Sequence, residues 1–486
     1  MAAGFSADFL KIWVCSRVLS RNEEVFHGML AALPERFGIE VTASVRMDNE
    51  HQLLRTSVPN LRQAIRCLNA SSGTPWNGAY RFSEWRCYIR ALLFFRHSPL
   101  FITMRCRLIA VLVLSAVAAV GHAANKPKPA FQYQSGDIRV SIPTADEPRV
   151  KVFGPESLNA AARYLENGAV SWVREMSCVN CHTTGPYLTE RTAWTKQFGP
   201  PSVEVHEDFV KTVPKEIKAV NETETHGHKH YPNTFFSVWR SLGLAEWDRH
   251  INGKVTEPTE RALRDLFEQQ SGSGAFVSHG EVEIPHITTD FELSLQAARA
   301  ITAAPGWLGT LKDETLLARV AKLKAWLKTA PPSNDFDRVL KLQLASYFPE
   351  LVAQTEREAA LALLASKQHA DGGWSTRDMS PVKDWHFEMS PTVLNLINNL
   401  PDAAKPESDA YMPALAVVLL RQSNVPVLDP RIQRGLAWLK REQRESGRWW
   451  MHSLYRGNYH YITYIATAQA LKALDLCGEL NVVARE

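Results

Sequence analysis

The chain is poor in several features that would name a class outright. Seven cysteines among 486 residues, unevenly spread, are too few for a disulfide scaffold. The 25 glycines and 27 prolines follow no fixed period, which excludes a collagen-like fibre. Apolar runs are short: the longest, Leu108 to Val120, is interrupted only by Ser115 and is brief for a bilayer-spanning helix. No Gly-x-Ser-x-Gly elbow, phosphate-binding loop or His-Glu-x-x-His helix occurs, so the common hydrolase, nucleotide-binding and metalloprotease signatures are missing. What is there is ordinary for folded protein. The composition is 45% hydrophobic and 22% charged, which excludes a disordered chain, and the length suits two to four domains.

Charge is divided unevenly. The formal net charge of +4 conceals residues 1–124, where 14 basic residues (13 of them Arg) face 8 acidic ones, a net of +6. Residues 125–486 hold 41 bases and 43 acids, a net of −2, with the two signs interspersed. Such a surface offers no basic stripe for a phosphate backbone, so nucleic acid is not an expected partner.

The break coincides with a targeting pattern. From Met104 the chain reads MRCRLIAVLVLSAVAAVGHAANKPKP, with Arg105 and Arg107 before an apolar core and small residues at Gly121-His122-Ala123-Ala124. This is the layout of a secretory signal peptide, 104–124. It predicts initiation at Met104, export, and no stable membrane span after cleavage. Residues 1–103 are then an upstream extension of low structure, Arg-rich and without sustained periodicity. The alternative is an uncleaved anchor carrying a small domain at residues 1–103. Residues 125–150, with Pro127, Pro129, Pro143 and Pro148, read as an extended lead-in with a short strand at 137–142.

Beyond Ala124 only Cys178, Cys181 and Cys477 remain. Two of them stand in Cys178-Val179-Asn180-Cys181-His182, the Cys-x-x-Cys-His pattern of c-type haem attachment. Each thiol forms a thioether with one porphyrin vinyl, and the adjacent His182 is carried to the iron as proximal ligand. One covalent haem c is therefore the expected cofactor, and export agrees with extracytoplasmic attachment. Zinc would need further ligands, and a redox pair would be expected after a strand in a βαβ unit. A plain disulfide or two free thiols would leave His182 unexplained. For the sixth iron position the candidates are His206, His226, His228, His230, His250, His279, His286, Met379 and Met389. His226, His228 and His230 stand out because alternate residues of an extended segment share a side, although a solvated polar loop explains them as simply. Without a side-chain ligand the iron would be open to a small molecule.

The second half carries a repeat. Leu364-x3-Gln368-x3-Gly372-Gly373-Trp374 recurs 75 residues later as Leu439-x3-Gln443-x3-Gly447-Arg448-Trp449. Leu and Gln four apart share a helix face, Gly ends the helix, and Trp folds back while the Gln amide satisfies backbone groups at the helix end. Helical spacing of apolar residues surrounds both copies, at 354–369, 409–421, 431–443 and 459–475. Residues 251–260 and 271–290, including Ser271-Gly272-Ser273-Gly274, read as loops.

These motifs, with Arg434-Gly435 and Trp438 ahead of the second copy and Ser408-Asp409-Ala410-Tyr411 opening an apolar helix, resemble the QW repeats of the squalene–hopene cyclase and prenyltransferase superfamily. Degenerate echoes occur at Ala325-Trp326-Leu327 and Arg163-Tyr164-Leu165, and Cys178 falls near the turn expected after the latter. The whole arrangement resembles bacterial secreted proteins that join a cytochrome c-type motif to squalene-cyclase-like repeats. The resemblance is strong over 355–475 and extends over 155–480. It implies a mainly α chain folded as an α/α toroid of helical hairpins, with the haem motif in a repeat turn: a haem-bearing region at 151–300 and clearer repeats at 301–486.

Cyclase chemistry is less well supported. Cyclases protonate an alkene with an Asp of Asp-x-Asp-Asp, and the nearest match is Asp335-Phe336-Asp337-Arg338, with Arg in the last place. A guanidinium there favours the ionised carboxylate and weakens the acid. A helix cap at Ser333, Asn334 or Asp335 explains the segment more simply. Trp385, His386, Tyr459, His460 and Tyr461 are candidates for a cavity wall, though a core or rim position explains each as well. The expected function is an exported haem c protein in electron transfer or redox chemistry, with a periplasmic redox partner. The alternatives are a terpenoid cyclase-like or isoprenoid-binding protein, and a non-catalytic periplasmic scaffold.

Overall fold

The computed structural model describes three strands within residues 1–124 and, in the remainder, residues 131–481 apart from 177–178, 180–181, 213–223, 226–227, 230–233, 279–288, 383–394, 396–397, 400–403 and 453–460. The chain divides into two compact units, Met1–Ala124 and Asn125–Glu486. In the first, β1 (Phe9–Cys15), β2 (Ser44–Arg46) and β3 (His51–Ser57) form an antiparallel sheet in the order β1-β3-β2. Periodicity did not predict these strands. FLKIWVC is a short apolar run broken only by Lys11, a pattern that periodicity cannot assign.

The second unit is mainly helical. A hairpin of β4 (Phe131–Ser135) and β5 (Ile138–Ser141) leads in, with β5 inside the strand expected at 137–142. Twelve longer helices follow among the described residues: α1 (Pro155–Met176), α2 (Thr184–Arg191), α3 (Val203–Lys211), α4 (Thr234–Trp247), α5 (Glu257–Glu268), α6 (Asp290–Ala303), α7 (Glu314–Thr329), α8 (Asp335–Tyr347), α9 (Gln354–Ser366), α10 (Met412–Gln422), α11 (Pro430–Glu442) and α12 (Tyr461–Leu476). Helix α5 begins inside the expected loop 251–260, because Pro258 in its first turn fixes φ and needs no hydrogen-bond acceptor. None of the helices among the described residues is long and apolar enough to cross a membrane.

Burial sorts the helices into two sets. Helices α4, α6 and α10 are buried on nearly all sides, as their sequences (TFFSVWRSLGLAEW for α4) dictate. Helices α5 and α11 bury one stripe each, and α9 buries only Ala360 and Leu364. The even-numbered helices touch in series, α2 to α4, α6, α8, α10 and α12, and α12 returns to α2. Each odd-numbered helix from α3 onward packs on the even-numbered helix before it, and α1 packs on α12.

One turn device joins the outer helices, and it occurs three times among the described residues. After α9, Gln368 donates to the carbonyls of Gly372 and, in α11, Arg431, each at 2.9 Å. After α11, Gln443 donates to the carbonyls of Gly447 and, in α1, Ser157, again at 2.9 Å. The third copy follows α5: Gln270 donates to Gly274 at 2.9 Å and to Arg319 of α7 at 3.0 Å. Its sequence is Leu266-x3-Gln270-x3-Gly274-x-Phe276, so Phe stands where the other copies have Trp. Trp374 and Trp449 each donate an indole N–H to the carbonyl of the leucine ten residues earlier at 2.7 Å, a bond that Phe276 lacks the donor to make. The glycines are needed twice over. Gly274, Gly372 and Gly447 have φ of +98°, +94° and +89°, and a β-carbon on any of them would lie 2.7 Å or less from the backbone of the receiving helix.

The last copy closes the chain on itself. Besides the Gln443–Ser157 bond, Val150 donates to the Gln443 carbonyl at 2.8 Å, and Arg448 donates to Glu147 at 2.9 Å and to the Ser141 carbonyl at 2.7 Å. Helix α11 and its turn are thereby fastened to the lead-in and to α1.

Candidate functional site

The Cys-x-x-Cys-His segment lies in the connection from α1 to α2. Cys178 and Cys181 fall outside the described residues, while Val179 between them is buried in the core and His182 precedes the first turn of α2. The His182 imidazole is half-buried. Its Nδ1 lies 3.0 Å from Thr183 Oγ1, which is itself fully buried and 3.1 Å from the Tyr133 hydroxyl on β4. Burial, with the nearby Tyr164, pushes the Tyr133 hydroxyl well above its ordinary pKa, so it stays a neutral hydrogen-bonding group. Tyr133 is held edge-on by Tyr464 of α12, with ring centroids 5.8 Å apart. On its other flank the imidazole meets Trp172 of α1, with centroids 4.9 Å apart and planes at 88°. The Trp172 indole nitrogen is buried and has no hydrogen-bond acceptor among the described residues.

This arrangement fits a proximal ligand. A metal-bound imidazole usually engages its second nitrogen in a hydrogen bond that fixes the ring, and the Thr183 contact occupies Nδ1, the nitrogen such a ring turns away from the iron. The Thr183–Tyr133–Tyr464 chain ties that contact to both the lead-in hairpin and the last helix.

The other predicted ligands are dispersed. His206 of α3 stacks on Trp247 with centroids 4.1 Å apart, and burial lowers its pKa. His250 lies 3.4 Å from Glu246, and Met379 is buried in the single turn Thr376–Met379. His228 stands opposite Thr225 in the antiparallel pair of β6 (Glu224–Thr225) and β7 (His228–Lys229). His226, His230, His279, His286 and Met389, with Trp385, His386, Tyr459 and His460, lie outside the described residues.

Both acidic candidates are held by structural partners at the start of α8. Asp337 is fully buried and accepts from the Ser333 amide at 2.9 Å and the Thr289 hydroxyl at 2.7 Å. Asn334 caps the helix through the Asp337 amide at 2.9 Å. Asp335 pairs with Arg338 and, at 2.9 Å, with Lys367; these cations outweigh burial and lower its pKa. Neither carboxylate lines the space at the centre of the helices.

That central space is lined by the even-numbered helices and holds only about 40 Å³, room for about three waters. Its wall is ionic. Arg299 of α6 pairs with Glu190 of α2 at 2.6 Å and with Glu246 of α4 at 2.8 Å, and Lys472 of α12 reaches Glu190 at 3.1 Å. Burial pushes Glu246 up, but Arg299 together with His250 and Arg249 overcomes it and holds the carboxyl at about 2. Glu190 is likewise lowered against its burial, by Arg299 and Lys472. Burial and the Arg299 charge pull Lys472 below its usual range, against the attraction of Glu190. Sequence reasoning did not single out this cluster. Its trace is partial, a single ionisable residue inside the apolar stretches SLGLAEW and AARAITA. No protein-family model matches the chain, and no curated protein matches it.

Proposed function

We propose that the protein is an exported haem c protein that transfers electrons, built on an α/α toroid of the squalene-cyclase-like kind. Cys178 and Cys181 would hold the porphyrin through thioethers, and His182 would be the proximal ligand. The observation that carries the reading is the setting of His182 directly after the cysteine pair, with Nδ1 at Thr183 and its ring against Trp172. Bound there, the haem would supply a one-electron couple. The chain's own residues would fix the imidazole's orientation through Thr183, which Tyr133 holds in turn, and through Trp172. The toroid reading is supported by the returning series α2 to α12 and by the three copies of the Gln–Gly turn. The partner would be a periplasmic redox protein.

A central space of about 40 Å³ is far below the roughly 300–1,000 Å³ of a small-molecule pocket. The charged Arg299, Glu190 and Lys472 on its wall also make it a poor lining for an isoprenoid. This disfavours the cyclase reading and favours, as a second reading, a haem-free scaffold. To test between them, the full chain and a chain begun at Met104 are each expressed with the c-type maturation machinery, and the reduced absorption spectrum is recorded. The haem reading expects a ferrous c-type spectrum that His182→Ala abolishes or converts to high spin. A colourless, folded protein would leave the scaffold.

A further inference from the structure

A cleft of about 320 Å³ opens where β5, α1 and the turn after α11 meet. It falls in the size range of small-molecule sites, which the central space does not reach. Its walls follow from the sequence. Ala160, Arg163 and Asn167 recur at helical spacing, so one stripe of α1 faces the cleft. Gly447 brings the turn so near that a β-carbon on it would lie 2.4 Å from the Ala160 carbonyl carbon. The buried Arg448 fixes another wall, donating to Glu147 at 2.9 Å and to the Ser141 carbonyl and hydroxyl at 2.7 Å each. Its charge is thus matched. Arg139 of β5 and Arg163 also line the cleft; both are exposed, and neither has a carboxylate partner among the described residues. Phe131 lies 5.9 Å from the Arg139 guanidinium, a ring contact that leaves its N–H groups available. Exposed arginines elsewhere in this unit are matched to carboxylates, Arg174 to Glu204 at 2.9 Å and Arg264 to Asp313 at 2.8 Å. Glu445 is the one acid among the described lining residues. The cleft therefore carries a surplus of positive charge, although residues 125–486 as a whole are net negative.

We propose that this cleft binds a small organic oxyanion, a carboxylate or a phosphate ester, with Arg139 and Arg163 as its cationic contacts. A guanidinium meets either head group with paired N–H donors. Val140 and the Tyr164 ring offer an apolar wall to the carbon body. Glu445 opposes such a ligand and limits its affinity. The site uses no residue assigned to the haem. Because its walls come from β5, α1 and the last turn, an occupant bridges the elements that Arg448 fastens, and binding raises the thermal midpoint.

The test is calorimetric titration of the full chain, at low and fixed ionic strength, with succinate and with glycerol phosphate, glycerol serving as the uncharged control. The expected result is saturable binding of at least one of the two anions, at one site per chain, and none of glycerol. The anion that binds more tightly identifies the head group. Arg139→Gln/Arg163→Gln removes two charges that have no carboxylate partner, so the unliganded variant keeps the parent's thermal midpoint. It is expected to weaken binding at least about fivefold. Glu445→Gln, which removes the opposing charge, is expected to tighten binding by about twofold or more. A smaller loss in the double variant puts the anion elsewhere and overturns the proposal. So does a response to both anions that never saturates, and so does unchanged or weaker binding in Glu445→Gln. Should the double variant fail to fold, Glu445→Gln decides.

Discussion

Arg299 balances two carboxylates at the centre of the helices, Glu190 at 2.6 Å and Glu246 at 2.8 Å. The guanidinium fork matches this task, since it presents several donors in fixed directions and keeps its charge. Arg299→Leu is expected to cost about 3–5 kcal/mol, because two carboxylates would stay buried without it; urea unfolding measures this. A pH dependence follows from Glu246. Its carboxyl is lowered from the ordinary 4.5 to about 2 in the folded chain, a difference worth about 3 kcal/mol. A depressed carboxyl stabilises fully above its ordinary value, and that stabilisation fades as pH falls from 4.5 towards 2. Unfolding free energies taken across this window should therefore fall steeply in the parent and less steeply, by up to one proton, in Glu246→Gln. Gly447→Ala makes a separate case. Its φ is +89° and its new methyl would lie 2.3 Å from the Ala161 nitrogen, so a loss of about 3 kcal/mol or more is expected from backbone strain and overpacking together. A thermal midpoint equal to that of the parent would contradict it.

Among elements, the Gln–Gly turn is the recurring unit. Trp374→Phe removes one indole-to-carbonyl bond while the Phe276 copy already works without it, so the variant should fold with a loss of about 1 kcal/mol. Gln368→Ala unpins the Gly372 and Arg431 carbonyls together and should lose more, about 2 kcal/mol. Denaturant titration of both variants checks the order, and a larger loss for Trp374→Phe would contradict the turn's assigned mechanics. Two copies of this unit were legible from spacing alone, because Leu, Gln, Gly and Trp all coincide. The copy at Leu266 to Phe276 is hidden because its second half falls in the Ser/Gly-rich stretch 271–290 that reads as a loop, and because Phe276 takes the buried place that Trp fills in the other copies. Helix positions near the repeats were legible to within a few residues, as with α9 and α12, where apolar spacing is regular. The start of α5 was not, because its polar first turn, Glu257 to Glu260, carries no apolar signal.

At the scale of the whole molecule, the legible part was local chemistry and the hidden part was long-range. Nothing in the spacing around Gln443 announces that its amide seats on Ser157, a residue 286 positions earlier. The same holds for Tyr133 at Thr183, and for four charged residues from four helices that meet at the centre. Contacts of this range depend on how the helices return on one another, and no window of sequence contains them. By contrast the Cys178–Cys181–His182 motif is wholly local, so the proposed site could be named from five residues while its surroundings, Trp172 and Thr183 included, could not. Fastening of the last turn to the first helix predicts that the helical unit unfolds as one piece. Arg448→Ala, which frees Glu147 and the Ser141 carbonyl, should lower the single unfolding midpoint without splitting the transition, and a second transition would argue against closure.

The proposed function requires one haem bound covalently at Cys178 and Cys181. Intact mass spectrometry of the chain matured with the c-type attachment machinery tests it most directly. The predicted result is a mass raised by one haem per chain, lost in Cys178→Ser/Cys181→Ser. An unmodified mass, with both cysteines still open to alkylation in the unfolded chain, would contradict it.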